Sequence, residues 1–223
     1  MEYNIKNAQI NDLNKIAACH QAAFPDSFTS KLGIEFISNM FKWYLSANNK
    51  FLFWIEENNQ CIGYCGGYVM DGSDAYGASS GMTQFGFNSA IKAMLLRPWL
   101  FFHPEVVSKY KFIWTNLKRR AKKILGVKSD KPAILKAQTL NTNNELQAGL
   151  VIIGVSPQLH KKGIGSLLQV EFEKRATQQK ATLLSLSVRR QNEKAIASYK
   201  RNGWEIKADE GPSYLMTKKL TSF

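Results

Sequence analysis

The period of the hydrophobic positions changes in a regular order along the chain, and that order predicts helices alternating with strands. Tyr3 to Lys6 reads as a short strand. Asp12 stands where a helix cap would, ahead of Leu13, Ile16, Ala17 and Ala23 at loose helical spacing, and Pro25 ends the run. A second helix is expected from Ile34 to Leu45, with Phe36, Ile37, Met40, Phe41 and Tyr44 on one broad apolar face. Lys50–Glu56 and Gln60–Met70 read as two strands joined by the polar turn Glu57-Asn58-Asn59. In the second half, Gly149–Val155 is an apolar strand, Ser156–Lys162 a polar turn, and Ile164 to about Gln178 a helix with Ile164, Leu167, Leu168 and Phe172 inward. Thr182–Val188 alternates at period two. Asn192–Asn202 is a helix stopped by Gly203, and Trp204–Lys207 and Tyr214–Leu220 supply two last strands.

The middle of the chain has a different texture. Residues 72–82 are Gly/Ser-rich and read as a loop, and 84–126 read as helical, broken by Pro98 and Pro104. Large apolar residues (Leu95, Leu96, Trp99, Phe101, Phe102, Trp114) mix there with the basic run Lys118-Arg119-Arg120 and Lys122-Lys123. Residues 72–146 hold twelve Lys/Arg and four Asp/Glu, so +8 of the chain's formal +13 sits in this one segment. It is too long for a plain strand connection and reads as a basic, aromatic-rich helical insertion within a single domain of residues 1–223. With 44% hydrophobic and 21% charged residues, the chain can bury a core. The basic excess favours anionic partners without choosing among phosphates, nucleic acid and membrane surfaces.

Three cysteines cannot build a disulfide framework. Cys61 and Cys65 lie in an apolar strand with no second ligand pair, so buried reduced thiols are expected and a metal is not. The polar N-terminus and the absence of an apolar run of about 18 residues make the cytoplasm the expected location.

The chemistry concentrates between Gly149 and Gly165. A strand runs into Val155-Ser156-Pro157, and His160-Lys161-Lys162-Gly163-Ile164-Gly165 then opens a helix. Such a junction gathers unpaired backbone N–H groups and the positive end of the helix dipole at one point. Glycines admit a bulky pyrophosphate, and Lys161 and Lys162 add charge. The run lacks the third glycine of a dinucleotide fingerprint and the Gly-Lys-Ser/Thr of a P-loop. A Gly-containing turn that binds nothing is the other reading of this loop.

With its downstream partner, the loop resembles the GNAT superfamily of acetyl-CoA-dependent N-acetyltransferases. The family loop is Gln/Arg-x-x-Gly-x-Gly/Ala after a strand that often ends Val-x-Pro. Asn192 to Tyr199, followed by Gly203-Trp204, is similar to the family's Asn-x-x-Ala-x-x-x-Tyr and Gly-aromatic pair. The resemblance covers 146–220 well and the first 70 residues more loosely. It implies a mixed, mostly antiparallel central sheet flanked by helices, with the basic helical segment inserted. It also implies direct transfer of an acetyl group from acetyl-CoA to a primary amine. Ile153 and Val155 would then hold the pantetheine arm, with the Val155 amide polarising the thioester carbonyl. The amides of His160, Lys161, Lys162, Gly163, Ile164, Gly165 and Ser166 would take the pyrophosphate, Asn192 would contact the cofactor arm, and Tyr199 would be the general acid.

His160 departs from the family's Gln/Arg, and Gly149 stands where some members carry a strand Glu. The general base is therefore open among Glu145, His20, His103 and Asp71, or a water chain. The acceptor is an unidentified amine, an amino sugar or another small, anionic molecule being compatible with the basic insertion. Nucleic acid is not expected, because no recognised module accompanies the charge. Peripheral contact with an anionic membrane through residues 92–128 and a homodimer stay open. The contrasting function is a chain of this fold that binds acyl-CoA, or serves as a membrane-surface or interaction protein, with weak catalysis.

Overall fold

The computed structural model describes residues 3–70, 77–107, 146–159 and 163–220. Seven strands form one sheet in the order β1-β2-β3-β4-β5-β7-β6. They are β1 (Asn4–Asn7), β2 (Lys50–Glu57), β3 (Gln60–Met70), β4 (Gln147–Val155), β5 (Leu183–Arg189), β6 (Glu205–Asp209) and β7 (Ser213–Lys219). Every neighbouring pair is antiparallel except β4 and β5. The described helices are α1 (Leu13–Ala23), α2 (Phe28–Leu32), α3 (Ile34–Phe41), α4 (Gly77–Leu96), α5 (Pro104–Val107), α6 (Ile164–Gln178) and α7 (Glu193–Arg201). Short 3-10 turns at Lys42–Leu45 and Pro98–Phe102 continue α3 and follow α4.

The side-chain alternation of β2 sorts the interior into two layers. Leu52 and Trp54 join a core with α1 and α3, whereas Phe51, Phe53 and Ile55 join one with α6. Tyr64 and Tyr68 of β3 belong to the first layer, and Cys65 and Val69 to the second. The sheet thus separates α1–α4 from α6 and α7, and a site open to both layers must pass through a gap between strands.

The structure moves three local expectations. Asp12 does not cap α1. It closes a 3-10 turn, Ile10–Asp12, and its carboxylate accepts from the Gln9 backbone N–H at 2.9 Å. The expected loop of 72–82 is helical from Gly77, because packing overrides weak intrinsic propensity once Met82 and Ser89 are buried. Helix α2 has no counterpart in the hydrophobic pattern. It is five residues long and is started by Ser27, whose Oγ accepts from the Ser30 N–H at 3.2 Å.

Within the segment 72–146, α4 is tied to the rest of the domain by polar contacts. Asn39 donates to Ser89 Oγ at 3.0 Å, Lys92 pairs with Glu35 at 2.9 Å, and Arg97 donates to the Lys31 carbonyl at 2.8 Å. Leu95, Leu96, Trp99 and Phe102 are 65–80% exposed. The basic run 118–123 lies outside the described residues. None of the described helices is long and apolar enough to cross a membrane. Cys19, Cys61 and Cys65 are free and buried, and among the described residues no three His, Cys, Asp or Glu gather to hold a metal.

Candidate active site

Strands β4 and β5 start side by side and then part. Their parallel pairing covers Gln147–Gly149 against Leu183–Ser185. Beyond it they diverge around a cleft of about 710 Å³. The walls are Leu150–Ile153 of β4, Leu186–Arg189 of β5, Asn192, Ala195 and Tyr199 along one face of α7 and its cap, and His20 with the stretch Ala23–Ser27. Because α1 and α7 lie on opposite faces of the sheet, the cleft reaches both layers. A bulge helps to part the strands: Gly66 pairs with Ile152 and Gly67 with Leu150, leaving Val151 without a register partner.

Strand parity sets which backbone groups face the opening. Ser156 N–H donates to the Ile62 carbonyl at 2.9 Å, so Gly154 and Ile152 turn their polar groups to β3 as well. The N–H and C=O of Ile153 and Val155 therefore point the other way, toward the side where β5 has turned off. Two residues the sequence singled out are brought to one line of backbone groups beside the cleft.

The loop beyond β4 continues as a 3-10 turn, Pro157–Leu159. Gly163 then starts α6 with φ +80°, a left-handed conformation that L side chains adopt only under strain. Leu167 N–H bonds back to the Gly163 carbonyl at 3.0 Å, which leaves the N–H groups of the first turn, through Ser166, without intrahelical acceptors. A Cβ built at Gly163 or Gly165 meets no atom of the described residues within 4 Å, so among them this helix end has room for a phosphate against its backbone. Ser166 Oγ accepts from Asn202 Nδ2 at 3.1 Å, tying the start of α6 to the end of α7. His160, Lys161 and Lys162 lie outside the described residues.

On the α7 side, Asn192 caps its helix by accepting from the Ala195 N–H at 3.2 Å, and it also lines the cleft. Tyr199 lines the cleft from the same face, about two helical turns further on. It is 7% exposed, with its ring edge-on to Trp204 at 6.0 Å. Burial, with a smaller contribution from Cys65, raises its pKa well above the usual phenol value. The hydroxyl is therefore protonated at any physiological pH.

Among the described candidates for the base, His20 lies in the cleft wall. Its Nδ1 lies 2.5 Å from the Tyr64 hydroxyl and its Nε2 lies 3.1 Å from Thr29 Oγ1. Phe24, Phe41 and Tyr64 surround the ring, and burial lowers its pKa to about 4, so it is neutral at pH 7. His103 instead packs on Phe28 at 5.1 Å and lies 3.3 Å from Lys31 Nζ. Glu145 and Asp71 lie outside the described residues. The pattern reading missed Tyr64 and the wall Phe24–Ser27. Tyr64 was hidden in an apolar strand, while Pro25 followed by the self-capping pair Ser27 and Ser30 was a legible sign of a built turn.

The chemistry of these residues fits coenzyme A: a helix N-terminus for its phosphates, polar backbone along β4 for its amide-bearing arm, and a cleft beside that line. The solved structures that resemble the chain include a PaiA N-acetyltransferase from Thermoplasma acidophilum in complex with coenzyme A (14% identity, 99% of this chain and 100% of that one, TM-score 0.57). The ribosomal-protein-S18-alanine N-acetyltransferase from Escherichia coli is also similar (14% identity, 100% and 96% covered, TM-score 0.53). So is an N-acetyltransferase from Staphylococcus aureus (16% identity, 99% and 98% covered, TM-score 0.53). At these identities the likeness establishes the fold. No curated protein matches the chain in sequence. The model of the acetyltransferase (GNAT) family matches residues 13–204, most of the length, and the chain belongs to that family.

Proposed function

We propose that the protein transfers an acetyl group from acetyl-CoA to a primary amine by direct attack in a ternary complex. The carrying observation is the parting of β4 from β5 around a cleft that Ile153 lines on one side and Tyr199 and Asn192 on the other, with the backbone of Val155 turned away from β3 just beyond Ile153. Acetyl-CoA supplies an acyl carbon activated by its thioester. The Val155 N–H would stabilise the negative charge that builds on the carbonyl oxygen. Tyr199 would protonate the departing thiolate, whose ordinary pKa near 8.5 makes a neutral phenol a usable donor across a short distance. The start of α6, from Gly163 to Ser166, would hold the pyrophosphate, joined by His160, Lys161 and Lys162. Asn192 would contact the arm while it caps α7. No residue here is assigned to a metal.

The test has two steps. A CoA-dependent rise in melting temperature is expected for the purified full-length chain. Release of free thiol from acetyl-CoA is then expected with at least one amine among spermidine, glucosamine, a phosphorylated amino sugar and a short peptide with a free N-terminus. No CoA-dependent shift would reject the proposal. A shift without turnover across the panel would favour an acyl-CoA-binding protein.

The exposed Leu95, Leu96, Trp99 and Phe102, beside Arg97 and Lys92, favour one further reading for residues 92–128: peripheral contact with an anionic membrane. Co-flotation with phosphatidylserine-containing vesicles, and none with neutral ones, is the expected result. Failure to float with either removes this reading without touching the acetyltransferase one.

A further inference from the structure

We propose that Ser27, Thr29, His20 and Tyr64 form the path that takes the proton from the acceptor amine. The inference rests on the acetyltransferase reading and adds to it the acceptor-side proton chemistry. Four side chains lie in one hydrogen-bonded line. Ser27 Oγ and Thr29 Oγ1 are 2.9 Å apart, Thr29 Oγ1 and His20 Nε2 are 3.1 Å apart, and His20 Nδ1 and the Tyr64 hydroxyl are 2.5 Å apart. Ser27 and His20 both line the cleft, so the line starts where an acceptor would stand. Its far end is buried: Tyr64 has no exposure and packs against Gly154, the neighbour of Ile153 in the cleft wall.

The hydrogen-bonding inventory allows a directed arrangement. Ser27 oxygen already accepts from the Ser30 N–H and has a second lone pair for an amine N–H. Its own proton has several acceptors within reach, Thr29 Oγ1, the Phe24 carbonyl and Ser30 Oγ, each at 2.9 Å, so the hydroxyl can turn among them. As the amine nitrogen forms its bond to the acyl carbon it becomes a much stronger acid. Its proton passes to Ser27 oxygen, the Ser27 proton to Thr29, and the Thr29 proton to His20 Nε2. No bond other than these O–H, N–H exchanges is made or broken, and the net change is one proton moved from amine to imidazole. Nδ1–H donates to the Tyr64 oxygen throughout, which keeps Nε2 bare before transfer and steadies the imidazolium after it. The low basicity that burial gives His20 keeps the imidazole neutral and ready at pH 7, and it favours prompt return of the proton to water at the cleft mouth.

The placement also explains why two proton-handling groups can share one cleft. His20 packs against Phe41 and Tyr64 of the α1 core layer, and Tyr199 belongs to the layer of α6 and α7. The sheet lies between them, so the group that receives a proton and the group that gives one meet only through the reacting atoms.

The experiment uses the full-length chain with Thr29→Val, which keeps shape and breaks the line, and Thr29→Ser, which restores it. Thr29→Val is expected to lower kcat about 10²-fold at unchanged KM for acetyl-CoA and an unchanged CoA thermal shift, with Thr29→Ser close to the parent. Nitrogen-15 shifts of His20 in the CoA complex give a readout that needs no acceptor. A single tautomer, bare at Nε2, is expected in the parent and a mixture in Thr29→Val. Parental turnover in a folded Thr29→Val, or a His20 protonated at Nε2, overturns the relay while leaving the acetyltransferase reading standing. A parent that shows no CoA shift overturns both.

Discussion

Tyr64 lies so close to Gly154 that a Cβ built there would stand 2.5 Å from the ring and 2.7 Å from its hydroxyl. The two are register partners on β3 and β4. The ring cannot swing away, since it is fully buried and its hydroxyl is held by His20. Glycine at 154 is thus the condition for Tyr64 to reach across β4. Gly154→Ala is expected to destabilise the fold by about 1–3 kcal/mol, as overpacking of a stiff interior does. Urea unfolding measures this, and a variant as stable as its parent would show that β4 shifts to make room.

Gly165 offers the cleaner test of the phosphate cradle. Gly163 has φ +80°, so a side chain there is strained whatever it does to a ligand. Gly165 lies in the first turn of α6, and among the described residues nothing stands within 4 Å of its Cβ position. Gly165→Glu places a negative charge at a helix N-terminus, which by itself is worth a few tenths of a kcal/mol in favour of the fold. The same charge opposes a pyrophosphate. Unchanged or higher melting temperature without CoA, and at least a tenfold loss of CoA affinity by calorimetry, is the expected pair of results. Full affinity in this variant would remove the α6 terminus from the binding site.

Much of this site was legible in residue order. Gly163, Gly165, Asn192 and Tyr199 each carry a local signal, a helix start or a helical face, and those signals survive folding because they depend on near neighbours. The α1 side was not legible in the same way. His20 becomes informative only once Tyr64, 44 positions away, is brought to its Nδ1. The helix from Gly77 was hidden for a related reason: its sequence opens with poor helix formers, the helix packs on α3 where Gly86 meets Phe36 and Ser89 meets Asn39, and pattern reading sees propensity but not partners. The parting of β4 from β5 likewise depends on register, including a bulge at Val151, and one extra residue in a strand leaves no mark in an apolar run.

Acid should destabilise the protein partly through His20. Its pKa is lowered to about 4 in the folded chain, against about 6.5 for the unfolded one. Between those values the unfolded state binds more protons, so stability rises with pH across the window. The contribution is whole above pH 6.5 and is lost as pH falls toward 4, to a total of about 3 kcal/mol. Urea unfolding at pH 7, 5.5 and 4.5 should therefore give a steeper decline for the parent than for His20→Gln. The comparison cancels the exposed pairs Lys6–Glu56 and Arg190–Asp209, whose carboxylates also titrate downward of neutrality. Parallel declines would mean that His20 accepts its proton without leaving its hydrogen bonds.

Tyr199→Phe separates proton donation from packing. The ring contacts Trp204 edge-on and sits in the core with α6, and phenylalanine keeps both relations. Only the hydroxyl at the cleft is lost. If it protonates the departing thiolate, kcat should fall by about 10²–10⁴ while CoA affinity stays near the parent's, because the donor matters once charge has built on sulfur. The pH dependence sharpens the assignment. Burial raises the Tyr199 pKa, so the donor is still protonated well above neutrality and should impose no alkaline limb on kcat up to about pH 9. A parental profile that stays flat there, with a uniformly depressed profile in Tyr199→Phe, is the expected result. Full turnover in the variant would pass the donor role to water, and joint loss of CoA binding would make the hydroxyl a ground-state contact instead.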